Sequence, residues 1–226
     1  MPSAIRVFFG LALSASLFVV PAWPFPFQQD VSVAELIPFA RWQKQFKITE
    51  GTDRGRVVPL SFRHDSQRPD RWTLAFGDYA TVSLLRNSDG ALAMERLDLV
   101  KSRSYIIYEP ALPILPRDFA GQSFDRRQAF FKMYDVETGA LKRTGRASHL
   151  VKQFAASRFE TPAGAIDGYY VTIDHRMEMQ FAYLNMTIGL GCRLDEGPVY
   201  GSGQYTLTKL GFLSSTKTVS AALASR

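Results

Sequence analysis

The sequence predicts an all-β protein, a curved antiparallel sheet or incomplete β-barrel of about ten strands, with a short N-terminal helix after a signal peptide. Three observations carry that expectation. From about residue 55 the 226-residue chain falls into short runs rich in β-branched and aromatic residues, separated by turn residues. The joints are too short for parallel crossovers, so neighbouring strands run antiparallel. The stretch "YYVTIDHRMEMQFAY" (169–183) alternates with period two: Tyr169, Val171, Ile173, His175, Met177, Met179, Phe181 and Tyr183 on one face, Thr172, Asp174, Arg176, Glu178 and Gln180 on the other. At roughly 3.3 Å per residue this run reaches about 50 Å, beyond the usual strand length. A bulge or tight turn is therefore expected near Asp174 and His175, in a strand that coils round a curved wall with its apolar side inward.

At the N-terminus, Arg6 precedes an apolar run from Val7 to Val20, the length of a secretory h-region and short for a bilayer span. Val20 and Ala22 stand at the minus 3 and minus 1 positions of a cleavage site, so residues 1–22 are expected to be a signal peptide and the chain to be exported, to the periplasm or beyond the cell. Residues 23–54 form an N-terminal segment. Within it Ser32 and Glu35 have capping-box spacing, Leu36, Phe39 and Phe46 could line one helix face, and Pro38 interrupts the pattern.

A single antiparallel domain over 55–213 follows. Its expected strands are Val57–Arg63, Arg71–Phe76, Ala80–Arg86, Ala91–Leu97, Arg103–Tyr108, Ala129–Asp135, Leu141–Leu150, Gln153–Glu160, Ile166–Leu184, Ile188–Leu194 and Gln204–Leu210. "NSDG" (87–90) and "VETG" (136–139) each end in a glycine able to take a positive φ after a type I turn, and "TPAG" (161–164) places Pro162 and Gly164 to suit a turn. "EPALPILP" (109–116), with a proline every third residue, reads as a stiff crossing between five earlier and about six later strands. The small, polar residues 214–226 read as a flexible tail.

The formal charge of +6 is mild, and its basic residues sit among acids in polar turns. These read as solvated loops; the other reading is an anionic partner such as phospholipid headgroups or an acidic polysaccharide, which would engage Arg126, Arg127, Lys142, Arg143 and Arg146, with peripheral membrane contact in the first case. No nucleic-acid-binding module is recognisable. Cys192 is the single cysteine, so no internal disulfide forms and packing must supply stability.

The histidines are His64, His149 and His175, with Asp65 and Asp174 beside two of them. Adjacent residues on a strand point to opposite faces, so neither pair is poised as a relay. Neither G-x-S-x-G nor H-E-x-x-H occurs. His175, Met177 and Met179 at i, i+2 and i+4 form a soft set of the kind that suits Cu(I), although methionines on an inner face usually fill core space. The reading assigns no catalytic residue, no cofactor and no metal. It places apolar ligand binding on the inward face, at Tyr169, Val171, Ile173, Met177, Met179, Phe181 and Tyr183.

The segments "YEPALPILPRDFAGQSF" (108–124), "FETPAGAIDGYYVTI" (159–173) and "GLGCRLDEGPVYGSGQYTL" (189–207) resemble a tract in bacterial exported β-sheet proteins of a domain family of unknown function. That tract has a proline-rich opening, a G-x-x-W/F strand, a TPAG hairpin and a glycine-spaced closing strand. Here Phe124 stands where tryptophan is usual, and "CRLDE" stretches the closing motif. The resemblance implies a periplasmic or envelope-associated antiparallel sheet without known activity. Composition, pattern and resemblance together lead to a non-catalytic envelope protein that binds an apolar or lipid-like ligand or serves as an envelope assembly partner. The alternatives are a hydrolase of an envelope polymer or lipid, and a scaffold that recruits other chains through its edge strands.

Overall fold

The structure is a computed structural model and describes residues 31–119, 125–211 and 213–225. The expected signal peptide and its cleavage site lie outside the described residues. A single turn of helix, α1 (Val33–Leu36), is followed by twelve strands: β1 (Trp42–Glu50), β2 (Val57–Asp65), β3 (Arg68–Phe76), β4 (Ala80–Arg86), β5 (Leu92–Leu99), β6 (Ser104–Leu115), β7 (Arg127–Asp135), β8 (Leu141–Thr161), β9 (Gly164–Met179), β10 (Ala182–Arg193), β11 (Gly197–Lys209) and β12 (Leu213–Leu223). Each pairs antiparallel with its neighbours in sequence, and β1 pairs with β12 through Phe46 opposite Leu223 and Ile48 opposite Ala221. The wall is a closed up-and-down barrel.

The all-β class and the antiparallel order are as the sequence predicts, but several elements differ. Both strands that close the wall lie outside the predicted set: β1 in the N-terminal segment and β12 in the supposed tail, which is held on both sides. The proline-rich tract is no crossing. It forms the second half of β6 and pairs with β5 up to Leu115 opposite Leu92, because β6 itself bulges, at Ile114 and over 108–111, and so accommodates prolines that lack an amide donor. Residues 166–184 are not one strand: a tight turn at Gln180 and Phe181 divides them between β9 and β10. Residues 141–160, expected as two strands, are one. The expected bulge near Asp174 sits in the facing strand, at Lys152 of β8, while β9 runs unbroken.

Inward positions are mostly apolar, and outward positions carry residues such as Gln43, Gln45, Lys47, Thr144, Arg146, Thr172, Asp174, Gln204 and Thr206. A barrel that spans a bilayer shows the reverse pattern, with an apolar band outside. No described helix is long and apolar enough to cross a membrane.

One end of the barrel is capped. The Ser32 hydroxyl and the Glu35 carboxylate form the predicted capping box and start α1. The segment is tied to the wall: Val33 N donates to Arg117 O (2.7 Å), Phe119 N to Val31 O (2.9 Å) and Asp195 N to Glu35 O (2.7 Å). Val31, Val33, Leu36 and Ile37 are buried beneath it, each contributing about 1.5–3 kcal/mol as an aliphatic removed from water. At the same end the β8–β9 hairpin bends at Gly168 across β10, where a Cβ would strike the Cys192 carbonyl. Phe159 stacks on Tyr200 (5.7 Å), and Ala163 N reaches Leu223 O (3.2 Å).

Gly145 of β8 shows how tightly neighbouring strands pack. A Cβ there would land on the Glu178 carbonyl oxygen and the Phe131 ring. Gly145→Ala is expected to lower stability by about 1–3 kcal/mol, seen as a fall in the urea midpoint at unchanged slope.

Candidate functional site in the barrel interior

Eight strands enclose a space that side chains just fill, and twelve enclose a wider one. At the capped end the space is packed: Phe62 stacks on Trp72 (4.7 Å), Phe39 meets Trp72 edge-on (5.3 Å), and Leu92, Leu112, Leu115 and Val171 are buried. Toward the other end the inward side chains Leu74, Val82, Leu97, Met133, Met179, Leu184 and Ile188 are only half-buried. Solvent reaches an inward side chain of a closed wall only from within. The interior is thus open at the end formed by the β1–β2, β3–β4, β5–β6, β7–β8, β9–β10 and β11–β12 turns, where these apolar side chains share the inner face with Arg143, Lys209 and Lys217.

Of the predicted ligand-binding residues, Tyr169, Val171, Ile173, Met177 and Met179 face inward, as does His175. Tyr169 stacks on Phe154 (5.0 Å), and Val171 and Met177 belong to the fully buried layer. Phe181 and Tyr183 are not on this face. Phe181 occupies the turn with a φ of 63° and is 71% exposed. Tyr183 lies on the outer face under the Arg176 guanidinium (5.3 Å), because the turn reverses the chain and Ala182 takes the inward position opposite Met179. The five basic residues considered for an anionic partner do not gather: Lys142 and Arg143 lie at the open end, Arg126 and Arg127 begin β7 at the capped end, and Arg146 lies along the wall over Phe130.

Sequence reasoning missed a pair of buried histidines. Counted from the TPAG turn, the hairpin register puts His149 opposite Arg176 on the outer face. The bulge at Lys152 shifts that register by one residue and turns His149 inward, opposite His175. Their Nδ1 atoms stand 3.4 Å apart, and His149 Nε2 lies 2.8 Å from Ile114 O. A carbonyl only accepts, so His149 Nε2 carries the proton and its Nδ1 offers a lone pair. His175 Nδ1–H then donates to that lone pair, leaving His175 Nε2 a bare acceptor. Burial pushes His149 down to about 4 and His175 to about 3, the neighbouring imidazole adding to the second.

Among the described residues, three buried side-chain atoms lack a hydrogen-bond partner: Trp72 Nε1, Tyr108 Oη and His175 Nε2. All three belong to inward-facing residues, and the Tyr108 ring meets His175 edge-on at 6.4 Å. Burial raises the Tyr108 hydroxyl well above its usual range and keeps it a neutral donor. Among the described residues no carboxylate orients either histidine. Asp174 points outward to Thr187 (3.1 Å) and Lys152 (3.3 Å), so the arrangement is not an acid–base relay. His175, Met177 and Met179 share a face, but the imidazole is turned to His149. Among the described residues no three His, Cys, Asp or Glu side chains gather as metal ligands. The Cys192 thiol is fully buried and pushed up to about 12, which makes it a core side chain and a poor nucleophile.

These features define a closed, up-and-down antiparallel barrel, polar outside and mostly apolar within, capped at one end and open at the other. No family model matches the chain, and no curated protein matches it. Among solved structures, it is similar to a crystal structure from Parabacteroides distasonis described as a "putative lipoprotein", at 14% identity and a TM-score of 0.39, covering 87% of this chain and 99% of the other.

Proposed function

We propose that this chain is a non-catalytic, exported protein of the cell envelope that holds an apolar, lipid-like ligand inside its barrel. The observation that carries the reading is the set of half-buried apolar side chains lining the inside of a closed wall. Export is supported by the apolar run Val7–Val20 and by the resemblance of the second half of the chain to exported β-sheet proteins. The edge-strand scaffold has less support, since closure pairs every strand on both sides.

Titration with cis-parinaric acid tests the ligand reading, because its fluorescence rises when it leaves water. Enhancement is expected with the wild-type protein, and Leu184→Glu or Met133→Glu, which put a charge on the inner wall, should weaken binding about tenfold or more. Thr187→Glu, on the outer face, should change nothing. A wild-type protein that leaves the probe dark would sink the reading.

A further inference from the structure

We infer that the open end of the barrel docks on a lipid bilayer bearing anionic headgroups. The large hydrophobic side chains exposed to solvent are not scattered. Val57, Val100, Val136, Leu141, Phe181, Leu210 and Leu213 are each 48–71% exposed, and all lie in or beside the turns of the open end. Phe130, on the outer wall under Arg146, and Tyr205, on the inner face of β11, are the exceptions among the described residues. Five turns widely separated in sequence contribute the seven, and the barrel gathers them into one rim. The described turns of the capped end, at 66–67, 87–91, 162–163 and 194–196, expose no such side chain.

Charge points the same way. The acids within the rim turns are spent on rim cations, Asp53 on Lys101, Asp78 on Arg56, Asp135 on Lys142 and Glu137 on Arg103, and Glu50 beside them accepts from the Thr218 and Ser220 hydroxyls. Arg54, Arg143 and Lys209 are exposed and, among the described residues, in no ion pair. Separate apolar tips interspersed with free cations suit a bilayer, whose tails accept isolated side chains at any spacing and whose anionic headgroups attract the cations. A folded protein partner would ask for one contiguous patch instead. Docking would set the mouth of the barrel against the lipid. That purpose rests on the proposed function, whereas the composition of the rim stands without it.

The test is Phe181→Trp mixed with vesicles of phosphatidylcholine, with or without phosphatidylglycerol. Its added emission, relative to wild type, should shift to the blue and be quenched by brominated lipid, more strongly with phosphatidylglycerol. Gln67→Trp, at the capped end, should do neither. Phe181→Ser with Leu210→Ser should cut vesicle co-sedimentation about tenfold, and Arg54→Glu with Lys209→Glu should remove the preference for phosphatidylglycerol. If Phe181→Trp keeps its emission with every vesicle, or Gln67→Trp responds equally, the docking inference fails. Parinaric acid binding, measured without vesicles, then decides the ligand reading separately.

Discussion

Removing residues 212–226 is expected to abolish the cooperative fold. The deletion strips β12 from both of its partners, opening β1 along Phe46–Glu50 and β11 along Tyr200–Lys209. It also takes away the buried Ala221, Ala222 and Leu223, and the Leu223 carbonyl that anchors the β8–β9 hairpin. Two long unpaired edges and an exposed interior favour pairing between chains over folding within one. The shortened chain should collect in the insoluble fraction, or show no cooperative melt by circular dichroism. A milder variant separates closure from mere length: Ala221→Asp keeps every other residue but sets a carboxylate against Ile48 on the inner face, and should lower stability by about 3 kcal/mol in urea. A truncated chain that melts like the full one would show that the wall does not depend on β12.

Acidification should weaken the fold steeply well before the carboxylates titrate. Unfolded, both histidines titrate near 6.5; in the barrel, burial holds His149 at about 4 and His175 at about 3. Below 6.5 the unfolded chain takes up protons that the folded one refuses. The stability contributed by keeping the pair neutral is complete above pH 6.5 and is lost as pH falls toward the folded values. At pH 5 the loss is about 2 kcal/mol per imidazole, or about 4 kcal/mol for the pair. Urea titrations at pH 7 and pH 5 should show that difference. In a His149→Gln, His175→Phe double variant, where the glutamine amide introduced at position 149 can still donate to Ile114 O, most of it should disappear. An unchanged pH dependence in the double variant would remove the pair as its source.

The sequence made the wall legible where a strand has a wet side and a dry side. The alternation from Tyr169 to Met179 marked the inward face of β9, and the glycine-ended turns at 87–90, 136–139 and 161–164 marked three of the hairpin joints, while the divisions of β8 and β10 were not legible. It concealed the strands whose inward residues are few or small. In β12 only Val219, Ala221 and Leu223 turn inward at the paired end, and the rest is largely serine, threonine and lysine, a composition shared with frayed tails. The proline tract hid half of β6, since proline forbids ladder donors but not a place beside a bulge. A pattern read at fixed period also cannot see a single inserted residue. Lys152 exchanges the two faces of β8, so the facing histidines follow from a register that only the folded hairpin reveals. The inward placement of Tyr169 to Met179 was legible, whereas the fates of Phe181 and Tyr183 turned on a reversal that their alternation masks.

The seam between β1 and β12 joins the first strand of the barrel to the last, so the first strand made has no permanent neighbour on one side until the last has been released. Contacts so far apart in sequence form slowly. A polypeptide of this design cannot close its wall until β12 is available, which keeps it unsealed during synthesis, the state that the proposed export would require.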